Sequence, residues 1–218
     1  MAQTRLSRRA ADLRRMAEIL KILDREYPEA ECSLVYETPY QLLVATILSA
    51  QCTDERVNRV TPALFRKYPT VRDMAAADLG EIEKLVQSTG FFRSKARSIW
   101  EASQALIAKH GGEIPRDLEA LTELRGVGRK TANVVLGVAY GVPSLVVDTH
   151  VGRLSRRMGF TKATDPVKIE QELMRLVPRE QWTRYAHFMI AHGRKVCTAR
   201  RARCEECPVA VLCPRVGV

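Results

Sequence analysis

Apolar residues recur along the chain at intervals of three and four, and Gly or Pro interrupts the pattern between segments. One face of a 3.6-residue turn has that spacing, so it predicts helices over 9–26, 39–51, 54–67, 78–88, 93–109, 117–124, 129–139, 149–158, 166–176 and 179–192. The segment QLLVATILSA (41–50) is apolar almost all round, which places it at the centre of a helical domain. Leu6, Leu13, Met16, Leu20 and Leu23 share helical spacing, so the arginine-rich start reads as the entry to a helix and not as a cleavable leader. Asp165-Pro166 is a strong helix start, a capping carboxylate followed by a residue preset for the first turn. The only strand-like run is SLVV (144–147), too short to build a sheet. Gly141 and Pro143 break the pattern and suggest a helical domain at 32–142, with 1–31 and 143–218 forming a second.

Composition narrows the function classes. The 218 residues are 46% hydrophobic, enough to bury real cores. A net charge of +10 favours polyanionic partners, nucleic acid first. No apolar run is long enough to cross a membrane. Four of the six cysteines crowd into the C-terminal end, unlike a disulfide framework, which points to a reducing, cytoplasmic setting.

The stretch LRGVGRKTANVVL (124–136) carries the most chemistry. It lacks the spacing of a phosphate-binding P-loop and the preceding strand of a dinucleotide fold. The segment before it is helical, so the unit reads as helix–hairpin–helix over 117–139, with Leu124 and Val127 tucked inward. Glycine allows close backbone approach, so the amides of Gly126, Val127, Gly128, Arg129 and Lys130 can converge on one phosphate oxygen. A DNA backbone, bound without base reading, fits that nest; an ordinary tight turn is the plain alternative. Lys130 exceeds what phosphate binding needs. The positive end of a helix dipole disfavours an ammonium, which brings a lysine placed there closer to a neutral nucleophile.

Asp148, in VVDTHVGRL (146–154), stands just before the next helix, where its plain role is an N-cap. A helix over 129–139 rises about 15 Å. Residues 140–148 can span roughly 26 Å when extended. The chain can therefore bring Asp148 back to the mouth of the bend beside Lys130.

The run LRGVGRKTANVVLGVAYGVPSLVVDTHV resembles the helix–hairpin–helix and Gly/Pro…Asp signature of the endonuclease III family, and the likeness extends from LLVATILSAQCTD through STGFFRSKA to the C-terminal cysteines. The resemblance implies an all-α fold of two helical domains, a helical barrel and an iron–sulfur domain, with duplex DNA in the cleft between them. It implies a monomeric, nucleoid-associated enzyme that excises oxidised pyrimidines and cleaves the abasic strand by β-elimination. By matching motif, Lys130 would form the Schiff base and Asp148 would be the catalytic carboxylate. Arg125 departs from the proline common at its position, and GFFRSKA (90–96) departs from the usual Gly-Leu-Tyr-Asn-Ser-Lys-Ala.

Cys197, Cys204, Cys207 and Cys213 are spaced C-x6-C-x2-C-x5-C. Spacing alone leaves zinc and iron–sulfur both open. The match to the family's pattern implies a [4Fe–4S] cluster, with Arg200, Arg201 and Arg203 presented together on its first loop toward DNA. Cys32 and Cys52 are expected to be buried and inert, and His187 and His192 to be packing residues.

Extruding a nucleotide leaves a gap in the base stack. Gln51 and Phe91 match the family's gap-filling and wedging positions. Two other functions remain: an adenine-specific mismatch glycosylase without lyase activity, and a helix–hairpin–helix DNA-binding module without chemistry. Against the first, residues 40–53 contain no acid.

Overall fold

The computed structural model of the chain describes residues 2–218, with side chains from residue 9 onward. Eleven helices form among them: α1 (Ala2–Glu26), α2 (Pro39–Leu48), α3 (Asp54–Lys67), α4 (Val71–Ala75), α5 (Leu79–Val86), α6 (Phe92–His110), α7 (Leu118–Thr122), α8 (Arg129–Tyr140), α9 (Thr149–Arg157), α10 (Pro166–Leu173) and α11 (Trp182–Lys195). No strand forms among the described residues, 144–147 included; one isolated bridge joins Cys197 and Ala202. The chain divides into two compact units, Cys32–Val142 and Met1–Glu31 with Pro143–Val218.

In the unit Cys32–Val142, α2 is the central rod. Thr38 caps it by accepting from the Gln41 amide, and Pro39 presets its first turn. Nine of its ten residues are buried, from Tyr40 to Leu48, as an all-round apolar helix requires. It packs against α3, α6 and α8, while α6 also carries α4 and α5. Two buried hydroxyls within this core are paired: that of Tyr40 meets Ser103 Oγ at 2.7 Å, and Thr46 Oγ1 donates to the Leu42 carbonyl at 2.7 Å.

In the other unit, α1 and α9 both pack on α11. Met16, Ile19, Leu20 and Leu23 bury their side chains, but Leu13 is 40% exposed, and Leu6 lies outside the described side chains. Tyr185, Phe188 and Met189 supply the facing surface of α11. Arg15 lies 4.1 Å over the Phe160 ring and donates to the Met158 and Leu212 carbonyls.

Several boundaries differ from the periodic pattern. Helix α4 was not expected; five residues are too few for a repeat, and a Thr70/Asp73 capping box holds it. Helix α2 ends at Leu48 and not at 51. The last expected helix begins with a 3₁₀ turn at Arg179–Gln181 and continues to Lys195.

Candidate functional site

Helix α7 and helix α8 are joined by the glycine bend. Leu124 and Val127 are both buried, which pins the hairpin to its core. Gly126 is left-handed (φ +76°), and a Cβ there would lie 2.5 Å from Ser98 Cβ on α6, so only glycine fits. Gly128 differs: its φ is −85°, its backbone is extended, and a Cβ would meet nothing within 4 Å. The Val127 amide donates to the Leu124 carbonyl at 3.1 Å, so it is spent inside the turn and cannot join the predicted amide nest. Arg125 is held by an ion pair with Glu101 of α6 at 3.2 Å.

Helices α2, α3, α4, α5, α7, α9 and α10 each open on a Thr or Asp whose side chain accepts a first-turn amide. Helices α6, α8 and α11 open without one. At α8 the cap is Gly128, and Arg129 and Lys130 follow, both exposed. An uncapped, solvent-facing helix N-terminus beside a lysine is a ready anion site.

Near α6 a cleft of about 240 Å³ is lined by Ile47, Ala50, Gln51, Phe91, Ser94, Lys95, Ser98 and Gly126. Among the described residues three non-glycines have positive φ: Gln51 (51°), Phe91 (47°) and Arg215 (55°). Two of the three are the residues expected to fill the stack, and both line this cleft. Left-handed backbone at such residues costs energy and concentrates where function demands it. Phe91 is 67% exposed, an apolar ring held out in solvent, while Phe92 packs on the core beneath Arg93.

Sequence reasoning missed three residues of α6. Lys95 is only 5% exposed and donates to the Leu48 carbonyl at 2.8 Å and the Thr89 carbonyl at 2.7 Å. Burial pushes its ammonium below the usual lysine range. Ser98 lies under Gly126, and Glu101 holds Arg125. Spaced by three, Lys95, Ser98 and Glu101 share one stripe of α6. A polar stripe reaching the apolar face of a helix was the available signal.

Asp148 is half-buried and caps α9: its Oδ1 accepts from the Val151 amide at 2.8 Å.

Cys197, Cys204, Cys207 and Cys213 line one cavity, together with Met158, Val196 and Val209. Burial pushes the Cys207 and Cys213 thiols up. Arg157 donates to Cys197 Sγ at 3.3 Å, and His192 Nε2 lies 3.5 Å from Cys207 Sγ. His192 is fully buried, pushed down to about 4 by desolvation, and shares its other nitrogen with the Tyr27 hydroxyl at 2.9 Å. Among the described residues no three metal-ligating side chains converge on a single-ion position. Four thiols lining one cavity are the donor set that an iron–sulfur centre takes.

The arginine loop is a hairpin closed by the Cys197–Ala202 bridge, with Thr198 Oγ1 donating to the Arg201 carbonyl. Arg200 and Arg201 are exposed on this loop. Arg203, also on this loop, pairs with Glu206 and donates to the Lys195 carbonyl. Cys32 and Cys52 are half-buried at the margin of the core, not enclosed as expected.

Residues 44–179 match the family profile described as HhH-GPD superfamily base excision DNA repair protein. The chain is 55% identical over 210 residues to an endonuclease III of Synechocystis, covering 96% of each. It is 50% identical to that of Bacillus subtilis over 86% of each chain. The solved structure of a trapped endonuclease III–DNA covalent intermediate superposes with a TM-score of 0.88 at 45% identity, over 93% of this chain and 96% of that one. A thermostable thymine-DNA glycosylase, at 22% identity and TM-score 0.84, shares the fold.

Proposed function

Since the chain belongs to the HhH-GPD superfamily of base excision DNA repair proteins, and within it to the endonuclease III family, we propose that it excises oxidised pyrimidines from duplex DNA and cleaves the abasic strand. It works as a monomer, in the cytoplasm and on the nucleoid. The observation that carries this reading is Lys130: an exposed amine in the first turn of α8, beside the uncapped hairpin that would seat the DNA backbone. A similar chain caught in a covalent DNA intermediate supports it.

Lys130 Nζ, as the free amine, attacks C1′ of the extruded nucleotide, and the bond from C1′ to the base breaks as the base takes up a proton. Asp148 stabilises the positive charge that develops on the sugar. Loss of the amine proton and opening of the ring give an iminium between Nζ and C1′. That electron sink acidifies C2′, whose proton leaves as the bond to the 3′ phosphate breaks. Hydrolysis of the remaining imine returns the lysine. The gap left in the stack takes Gln51, with Phe91 wedged beside it.

The four cysteines would hold a [4Fe–4S] cluster, which when bound supplies structural cross-linking of the loop that carries Arg200 and Arg201.

Borohydride reduction should trap the protein covalently on abasic DNA, and Lys130→Gln should abolish trapping with fold and colour retained. Trapping by Lys130→Gln through another lysine overturns the nucleophile. Adenine excision without strand cleavage would mark the mismatch-glycosylase reading, and binding alone a module without chemistry.

A further inference from the structure

We infer that Lys95 is a positioning residue for nucleotide extrusion: its buried ammonium, bonded to the Leu48 and Thr89 carbonyls, holds the two turns that present Gln51 and Phe91. The inference rests on the glycosylase reading above and extends it to a residue with no assigned part in the chemistry.

The bonding pattern carries the argument. Leu48 is the last residue of α2, and its carbonyl faces the end of the helix with no further turn to satisfy it. Thr89 ends a 3₁₀ turn over Gln87–Thr89. Three residues beyond the first carbonyl stands Gln51, and two beyond the second stands Phe91, each in left-handed backbone. Neither turn has a glycine at the strained position, so neither prefers that conformation by itself. One ammonium, 5% exposed, bonds both segments at 2.8 and 2.7 Å. An apolar side chain would fill the same space without the cost of burying a charge. What the lysine adds is a fixed distance between two residues that must enter the same gap.

The same helix extends that control to the hairpin. One turn on, Ser98 touches the space where a Cβ of Gly126 would be, and one turn further Glu101 holds Arg125. Gap filler, wedge and backbone clamp are thus referenced to one stripe of α6.

The test compares two substrates that differ in whether a stack must be filled. Lys95→Met keeps the side chain's bulk and removes both hydrogen bonds. It should lower excision of an oxidised pyrimidine from duplex DNA ten-fold or more. Cleavage of a single-stranded abasic oligonucleotide, which offers no stack to fill, should change less than two-fold. In a Gln51→Ala/Phe91→Ala background, adding Lys95→Met should cost less than two-fold further on the duplex. Equal losses on both substrates, or a full further loss in that background, overturn the proposal. If Lys95→Met does not fold, Lys95→Leu, which likewise removes both hydrogen bonds, takes its place, and the same outcomes support or overturn the proposal. Failure of the unsubstituted protein to cleave either substrate would refute the glycosylase reading, and is read before any variant.

Discussion

The two glycines of the bend separate folding from ligand approach. At Gly126 an alanine must hold φ near +76°, a conformation that costs an L-residue about 1–2 kcal/mol. Its Cβ would also sit 2.5 Å from Ser98 Cβ and 2.6 Å from Oγ, so α6 or the hairpin must shift. Overpacking of that kind adds about 1–3 kcal/mol. The sum is a loss of about 2–5 kcal/mol, and at roughly 2–4 °C per kcal/mol for a chain of this size the melting temperature should fall measurably. At Gly128 alanine takes φ −85° without strain and meets nothing within 4 Å. Reduced freedom of the unfolded chain stabilises by about 0.4–1 kcal/mol. Alanine is the poorer N-cap by a similar amount, so the two effects nearly cancel. Gly128→Ala should therefore melt within about 1 kcal/mol of the parent protein. The new methyl nevertheless stands where a phosphate must approach the α8 amides. Fluorescence anisotropy on damaged and undamaged duplexes should show equal, roughly ten-fold losses of affinity, about 1.4 kcal/mol. Gly128→Ala that binds duplex DNA as tightly as the parent would show that no phosphate seats at this bend.

Two further outcomes follow from the site. Asp148→Asn keeps an oxygen to accept the Val151 amide, so stability should hold within about 1 kcal/mol, while base excision falls by about 100-fold or more in single-turnover assays; excision at the parent rate would leave Asp148 a cap and nothing else. The purified protein should be brown and carry about four irons per chain by metal analysis; Cys204→Ser should lose colour and soluble yield together, and a colourless, zinc-loaded parent protein would overturn the cluster.

Apart from the short α4, sequence periodicity found the helices whose reasons are local and missed the features whose reasons are distant. Helix α2 was readable because a run of apolar residues can only be buried, and α10 because Asp165 and Pro166 cap and preset its first turn. The hairpin was readable because Gly126 has no substitute at its contact with Ser98. The end of α2 was not: Ser49, Ala50, Gln51 and Cys52 contain no Gly or Pro, so the pattern continues through them. The helix stops at Leu48, whose carbonyl is taken by an ammonium from α6. The partners of Arg203, Glu206 and the Lys195 carbonyl, were likewise not legible, because they meet it only once the loop has closed.

That distant stop also explains why the strained residues fall where they do. A left-handed residue costs about 1–2 kcal/mol, so Gln51 and Phe91 together cost about 2–4. Hydrogen bonds to a charged donor contribute about 1.5–3 kcal/mol each, and Lys95 makes two, one at the segment leading into each strained residue. That gain is opposed both by the strain and by the cost of burying the ammonium. The consequence of the arrangement is geometric: an exposed phenylalanine and an exposed glutamine are held in left-handed backbone at one cleft. Extrusion already costs a few kcal/mol, and ordering the filling residues at that moment would add to it. On the proposed reading of Gln51 and Phe91, holding them in place beforehand moves that cost into folding, where a buried lysine offsets it.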